Sequence, residues 1–265
     1  MNRQGPGAWR PDADAVRRSV IDAGIELLAE EGLALAADRV SIERSAARAK
    51  VSRAAAYKLW SGLDRRPQEA FRDDVLVHSA EQVLRSTKEE MTSTVTAIAE
   101  ALERFGPIAD LAPDQRRRAL REVVRVGALA NLEQLIASPG WHIYLSVLAA
   151  VRSRDLSAEP APPKLVEAIR IGSEQATRLY GPTYVMLGQL FGMRIRPGYE
   201  VEELTAAAAA LVDGMALRVG LSDHLTDIAS PYDTDGPWHL FAVAFMGLVR
   251  EFFEADPEVP WGVDP

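Results

Sequence analysis

Residues 39–66, here called the basic window, contain eight basic residues, whose positive charges determine what this segment can bind. They are Arg39, Arg44, Arg48, Lys50, Arg53, Lys58, Arg65 and Arg66, opposed by Glu43 and Asp64. The window therefore carries a net charge of +6, whereas the whole chain carries −8 and the remainder −14. Guanidinium and ammonium groups bind phosphates, so a positive patch on an acidic protein indicates a polyanionic partner.

Two serines mark the starts of short helices in this window. Ser41 begins a predicted helix that ends near Ala49, and Ser52 begins a second that ends near Trp60. Serine hydroxyls accept hydrogen bonds from the free amides of a first helical turn, and such amides also bind phosphates. Two short helices joined by a tight turn in a basic stretch predict a helix-turn-helix element that binds DNA.

The second of these helices has two different faces. Ala56, Leu59 and Trp60 recur at i, i+3 and i+4, which predicts a face that packs on the preceding helices. The opposite face carries cations, a phenol and small side chains, which suit close approach to a major groove. The predicted DNA-binding residues are Ser41, Arg44, Arg48, Ser52, Arg53, Ala54, Ala55, Tyr57, Lys58 and Arg65.

The segment Val40–Trp60 resembles the N-terminal domain of the TetR (tetracycline repressor) family of bacterial transcriptional regulators. The family pattern is roughly Leu-Thr-Val-x-x-Ile-Ala-x-x-Ala-Gly-Val-Ser-x-Gly-Thr-Leu-Tyr-x-x-Phe. In this chain Lys50 replaces the turn glycine, Ser45 replaces the isoleucine, and Ala54–Ala56 replace Gly-Thr-Leu. Lys50 is therefore expected to adopt a positive φ, a conformation that glycine adopts more readily.

The resemblance implies an architecture and a mechanism. It implies an all-α fold with a three-helix helix-turn-helix head at residues 1–66 and a larger helical effector-binding and dimerisation body at residues 67–265. Residues 1–12 are expected to form a flexible arm. The implied regulator is a homodimer, paired through residues 201–221 and 237–254, that occludes a pseudo-palindromic double-stranded DNA operator until a small-molecule effector binds. An activator of the same architecture remains an alternative.

Apolar residues recur at intervals of three and four along nearly the whole chain, which predicts helices throughout and no strand. The first helix is expected from Asp14 to Glu31, with Gly32 as its C-cap. Glycine and proline separate most of the later helices. Those helices are predicted at residues 67–86, 89–105, 113–138, 141–154, 164–180, 183–194, 201–221 and 237–254.

Composition narrows the remaining classes of function. The absence of cysteine excludes disulfides, thiolate metal sites and thiol catalysis. The polar start lacks the apolar core of a signal peptide, and residues 204–221 are interrupted by charges, so we expect a cytoplasmic protein without a membrane partner. The four histidines lack metal spacing, and no nucleophile, phosphate-loop or dinucleotide motif occurs, so neither an enzyme nor a cofactor is expected.

A second group of residues, largely aromatic, lies in the middle of the chain. It permits two interpretations, plain core packing or an apolar effector pocket with a few polar groups. The candidate ligand-binding residues are Trp141, His142, Tyr144, Tyr180, Tyr184 and Phe191. A helical enzyme or small-molecule binding protein with a degenerate head is the alternative function.

Overall fold

The computed structural model describes residues 12–31, 40–62, 65–156, 163–219, 221, 228, 232 and 236–265. The side chains of residues 31, 82–91, 146, 150 and 152–156 are not described. Several sequence-based expectations fall outside these ranges. They are the arm at residues 1–11, the C-cap at Gly32, and Arg39 and Asp64 of the basic window.

The described residues form an all-α fold, as the sequence predicts. The helices are α1 (Ala13–Glu31), α2 (Ile42–Arg48), α3 (Arg53–Leu59), α4 (Pro67–Phe105), α5 (Pro113–Ala137), α6 (Pro139–Leu156), α7 (Pro163–Leu190), α8 (Val201–Ala216) and α9 (Leu240–Phe252). A 3₁₀ turn covers Ile108–Asp110. None of the described helices is long and apolar enough to cross a membrane.

Two predicted helix breaks are wrong. α4 continues through residues 87–88, where neither glycine nor proline is present to end a helix. α7 continues through Gly181 and Pro182, although proline removes one backbone donor. Gly181 is buried against Val201, since a Cβ at this glycine would lie 3.3 Å from Val201 Cγ2. Packing at this point supports the uninterrupted helix.

The expectation of no strand is also wrong. Met193–Ile195 (β1) pairs antiparallel with Phe253–Ala255 (β2), so two segments predicted as helix ends are short strands. α8 ends at Ala216 rather than at residue 221, and α9 begins at Leu240 rather than at residue 237. A three-residue strand is too short to show an alternating pattern, which explains why the sequence does not reveal it.

Packing divides the chain into two compact units. Unit 1 comprises Met1–Val83 and Pro139–Arg170, and unit 2 comprises Leu84–Ser138 and Ile171–Pro265. α4 and α7 contribute residues to both. The functional boundary at residue 66 stays a prediction.

The core of unit 1 joins the helices of the head to α4 and α6. Ile21, Trp60 and Phe71 are fully buried in one apolar cluster. Gly24 allows α1 to approach α4 closely, because a Cβ there would lie 2.8 Å from Val75 Cγ2. α6 packs against α1. The position of α3 is therefore fixed by apolar burial rather than by the short helix itself.

Unit 2 is built around α5, α8 and α9. Glu122 is buried and accepts hydrogen bonds from Arg125 Nε at 2.8 Å and Arg104 Nη2 at 3.3 Å, so its charge is paired. Arg196 donates from Nε to the carbonyl oxygen of Glu251 at 3.0 Å. This contact satisfies a carbonyl at the end of α9, where backbone acceptors lack helical partners.

Candidate nucleic-acid interface

The turn between α2 and α3 closes with two backbone hydrogen bonds. Val51 N donates to Ala46 O at 2.8 Å, and Lys50 N donates to Ala47 O at 3.2 Å. This pair of bonds defines a Schellman motif, which requires a left-handed residue after the helix. Lys50 takes that role with a φ of 57°, as the sequence predicts. The turn sets the angle at which α3 leaves α2.

Both predicted serine caps are present. Ser41 Oγ accepts from Arg44 N at 3.3 Å, and Ser52 Oγ accepts from Ala55 N at 3.3 Å. These bonds satisfy amides in the first turns of α2 and α3. The two serines therefore have a structural role, and their assignment as DNA contacts stays a prediction.

α3 presents a buried and an exposed face as the sequence predicts, but Leu59 and Tyr57 are both half-buried against the core. Ala56 and the following Trp60 are fully buried, whereas Arg53 and Lys58 are exposed. Ala54 and Ala55 are also exposed. The small side chains between the two cations protrude little from the start of the helix. This shape allows the helix to approach a groove closely.

Trp60 anchors the end of α3 to two other helices. Its indole Nε1 donates to Asp74 Oδ2 at 2.8 Å, and Arg17 Nη2 donates to the same oxygen at 2.5 Å. The guanidinium of Arg17 lies 5.4 Å from the Trp60 ring centroid, and Phe71 meets the indole edge-on at 4.9 Å. These contacts fix the rotation of α3, so its outward face keeps one direction.

Arg48 and Arg65, like Arg53, are predicted DNA-binding arginines that pair with carboxylates within the head and α4. Arg48 donates to Glu30 through Nη1 at 2.9 Å and Nη2 at 2.7 Å, and this hydrogen bonding lowers the pKa of Glu30. Arg65 Nη1 lies 2.6 Å from Asp73 Oδ2. Both arginines have other donors, but each already has an anionic partner. Their assignment as DNA contacts stays a prediction.

Glu43 on α2 holds two side chains of α3. The Tyr57 hydroxyl donates to Glu43 Oε1, and Arg53 Nη2 lies 3.1 Å from the same oxygen. The hydrogen bond from Tyr57 is the main cause that lowers the pKa of Glu43, and the same bond raises the pKa of Tyr57. Lys58, in contrast, makes no ion pair among the described residues. Lys58 is therefore available to a phosphate.

Sequence reasoning missed Glu43, Asp73 and Asp74 as partners of the candidate interface. In the sequence, Glu43 is simply an acidic residue that reduces the net positive charge of the basic window. Its contact with Tyr57 depends on how α2 crosses α3, which residue types do not reveal. The available signal was an acidic residue inside a basic helix-turn-helix segment.

The six candidate ligand-binding residues divide between the two units. Trp141, His142 and Tyr144 lie on α6 in unit 1, where the Trp141 and His142 rings are 5.2 Å apart. Tyr180 and Tyr184 stack at 6.5 Å in unit 2, and Phe191 is fully buried in the same unit. The structure thus brings Trp141 next to His142 in unit 1 and Tyr180 next to Tyr184 in unit 2. The effector pocket stays a prediction.

Unit 2 also has a surface cleft on the first turns of α5. Its volume is about 290 Å³. The cleft is lined by Asp114, Gln115, Arg117, Arg118 and Arg121. Its charged lining differs from the aromatic pocket that the sequence predicts, and none of the six candidate ligand-binding residues lines it.

Replacing Tyr184 by phenylalanine should reduce the loss of stability at alkaline pH. Burial, with a smaller effect of Tyr180, raises the pKa of Tyr184. The unfolded chain releases this proton near pH 10, whereas the folded chain retains it. The contribution is therefore complete below about pH 10 and falls by at most about 1.4 kcal/mol per pH unit above it. Urea unfolding at about pH 8 and about pH 11 measures the difference; an equal difference at both values would contradict this assignment.

Comparison with known proteins finds a distant structural similarity. No family model and no curated protein matches the chain. Among solved structures, the chain is similar to a crystal structure from Pseudomonas aeruginosa PAO1 that is described as a candidate transcriptional regulator. The two are 18% identical, with 91% of each chain covered and a TM-score of 0.46.

Proposed function

We propose that the chain is a DNA-binding transcriptional regulator of the TetR type. In this proposal two copies form a homodimer, and the heads bind a pseudo-palindromic operator, which they occlude as a repressor. A small-molecule effector relieves repression by binding one spacing of the heads better than another, because only differential affinity shifts such an equilibrium.

The outward surface of α3 carries the proposal. Ala56 and Trp60 are buried on one side of the helix. Because that side packs on the core, Arg53, Ala54 and Lys58 face solvent on the other side. A rigid helix after a closed turn, with cations and small residues outward, is the form in which helix-turn-helix proteins enter a major groove. Such a surface has no evident use in an enzyme with a degenerate head.

Selection of bound duplexes from random DNA tests the function directly. A dimeric regulator should enrich inverted half-sites about one helical turn apart, which is 10–10.5 base pairs between centres. Affinity for the selected duplex should fall with salt at a logarithmic slope of about −5 if six phosphates are contacted. An enzyme or binding protein with a degenerate head should select no sequence and show no salt-dependent DNA affinity.

Replacing Lys58 by alanine should weaken binding to every duplex. The exposed ammonium is expected to contact phosphate, so its loss should reduce the salt slope by about one per head without changing sequence preference. Fluorescence anisotropy over a series of salt concentrations measures both quantities. Lys164→Ala is the matched control, because Lys164 is an exposed lysine outside the head. Equal slopes for the two variants would contradict a phosphate contact by Lys58.

A further inference from the structure

The outward surface of α3 already binds an anion that belongs to the protein. Glu43 Oε1 accepts from the Tyr57 hydroxyl and lies 3.1 Å from Arg53 Nη2. The guanidinium of Arg53 also lies 5.6 Å from the Tyr57 ring centroid, so the three side chains form one cluster. Two of them are candidate phosphate contacts, and the third is a carboxylate that satisfies both.

The hydrogen-bonding capacity of Tyr57 makes this arrangement exclusive. A tyrosine hydroxyl has a single proton, and Tyr57 donates it to Glu43. A phosphate diester accepts hydrogen bonds and has none to donate. Tyr57 can therefore bind a phosphate only after its bond to Glu43 is broken.

The ion pair between Glu43 and Arg53 is weak enough to be exchanged. The side chain of Arg53 is 73% exposed and that of Glu43 is 34% exposed. Ion pairs this open to water contribute little stability. A carboxylate left in place would also repel an approaching phosphate, since like charges within a few ångströms disfavour each other.

We propose that Glu43 is an internal competitor of the DNA phosphate, and that docking exchanges its carboxylate for a backbone phosphate at Tyr57 and Arg53. This inference rests on the proposed DNA-binding function. It makes Glu43 a residue that lowers the affinity of the head for any duplex, rather than one that selects a base. The head is thereby restrained from binding DNA through phosphate contacts alone.

The test is the affinity of the full chain for a random-sequence 30-base-pair duplex, measured at several salt concentrations. Glu43→Gln keeps the size of the side chain and removes its charge, and it should bind about fivefold to tenfold more tightly at low salt. Glu43→Ala, which also removes the acceptor, should bind at least as tightly as Glu43→Gln. Far-UV circular dichroism checks that each variant is folded.

Glu69→Gln is the matched control for net charge. Glu69 is an exposed carboxylate 3.9 Å from Arg66, and it contacts neither Tyr57 nor Arg53 in the described structure. Its removal changes the chain by the same single charge. We expect the affinity of Glu69→Gln to stay within about twofold of wild type, since this exposed charge contacts neither donor and is partly screened by salt.

A background that lacks both donors separates exchange from a general charge effect. In a Tyr57→Phe, Arg53→Ala chain, Glu43→Gln should gain no more affinity than Glu69→Gln. The proposal is overturned if Glu43→Gln weakens binding, if it gains no more than Glu69→Gln in the wild-type background, or if its extra gain persists without the two donors. Any of these results with wild-type binding intact leaves the proposed function standing. No binding by wild type or by any Glu43 variant overturns both.

Discussion

Replacing Trp60 by alanine should lower the free energy of unfolding by about 3–5 kcal/mol, the usual cost of truncating a buried tryptophan. Trp60 is fully buried, meets Phe71 edge-on and donates to Asp74. Its loss leaves a cavity where α3 joins the core of unit 1, and it leaves the Asp74 carboxylate without that donor. Because whole domains are stable by only about 5–15 kcal/mol, this change should remove a large fraction of the stability and lower the denaturation midpoint clearly.

Urea unfolding followed by far-UV circular dichroism measures this effect, with Trp60→Phe as the control. Phenylalanine keeps a ring in the core, removes the indole donor and leaves a smaller cavity than alanine does, so its expected cost is smaller, about 1–3 kcal/mol. Both variants should be compared with wild type for DNA binding at a temperature where wild type is folded. A cost of less than about 1 kcal/mol for Trp60→Ala would contradict the burial described for the anchor of α3.

The local structure of the head followed from its sequence because each element depends on short-range chemistry. Serine caps at Ser41 and Ser52 require only a hydroxyl at the first turn, and both form. Lys50 occupies the position of a turn glycine, and the backbone of the Schellman motif imposes a positive φ on it. The spacing of Ala56 and Trp60 predicted which face of α3 is buried.

The partners of these residues did not follow, because they come from other helices. Glu43 meets Tyr57 only because α2 crosses α3 at the angle that the turn sets. Asp74 is one of many carboxylates in the chain, and it accepts a hydrogen bond from Trp60 only because of where Trp60 packs in the core. Charge counting therefore predicted a positive surface but not how much of that charge is paired within the chain.

The body was less predictable than the head because glycine and proline are ambiguous signals. Pro182 lies inside α7, whereas Pro107 and Pro139 do mark the ends of helices. Proline removes one backbone hydrogen bond, and packing decides whether the helix continues past that loss. The candidate ligand-binding residues show a similar limit of sequence-based prediction. Tyr144 and Tyr184 are the same residue type, but they lie in different units.

The proposed dimer surface can be tested at apolar side chains that the single chain leaves exposed. Leu217, directly after α8, is 44% exposed, and Leu240, at the start of α9, is 36% exposed. Both lie in the segments predicted to pair with a second copy. Phe245 on α9 is a poorer probe because its ring contacts Tyr184 and Phe241 in its own unit.

The double variant Leu217→Glu, Leu240→Glu should raise the dissociation constant of the dimer by at least about 100-fold. Burying unpaired carboxylates at an interface costs several kcal/mol, and each 1.4 kcal/mol corresponds to about a tenfold change. Sedimentation equilibrium at micromolar concentration distinguishes the 29.0 kDa chain from its dimer. Met186→Glu is the control, since Met186 is 58% exposed on α7, outside the predicted pair of segments. Dissociation by Met186→Glu alone would place the interface elsewhere, and a monomeric wild type would exclude the dimer at this concentration.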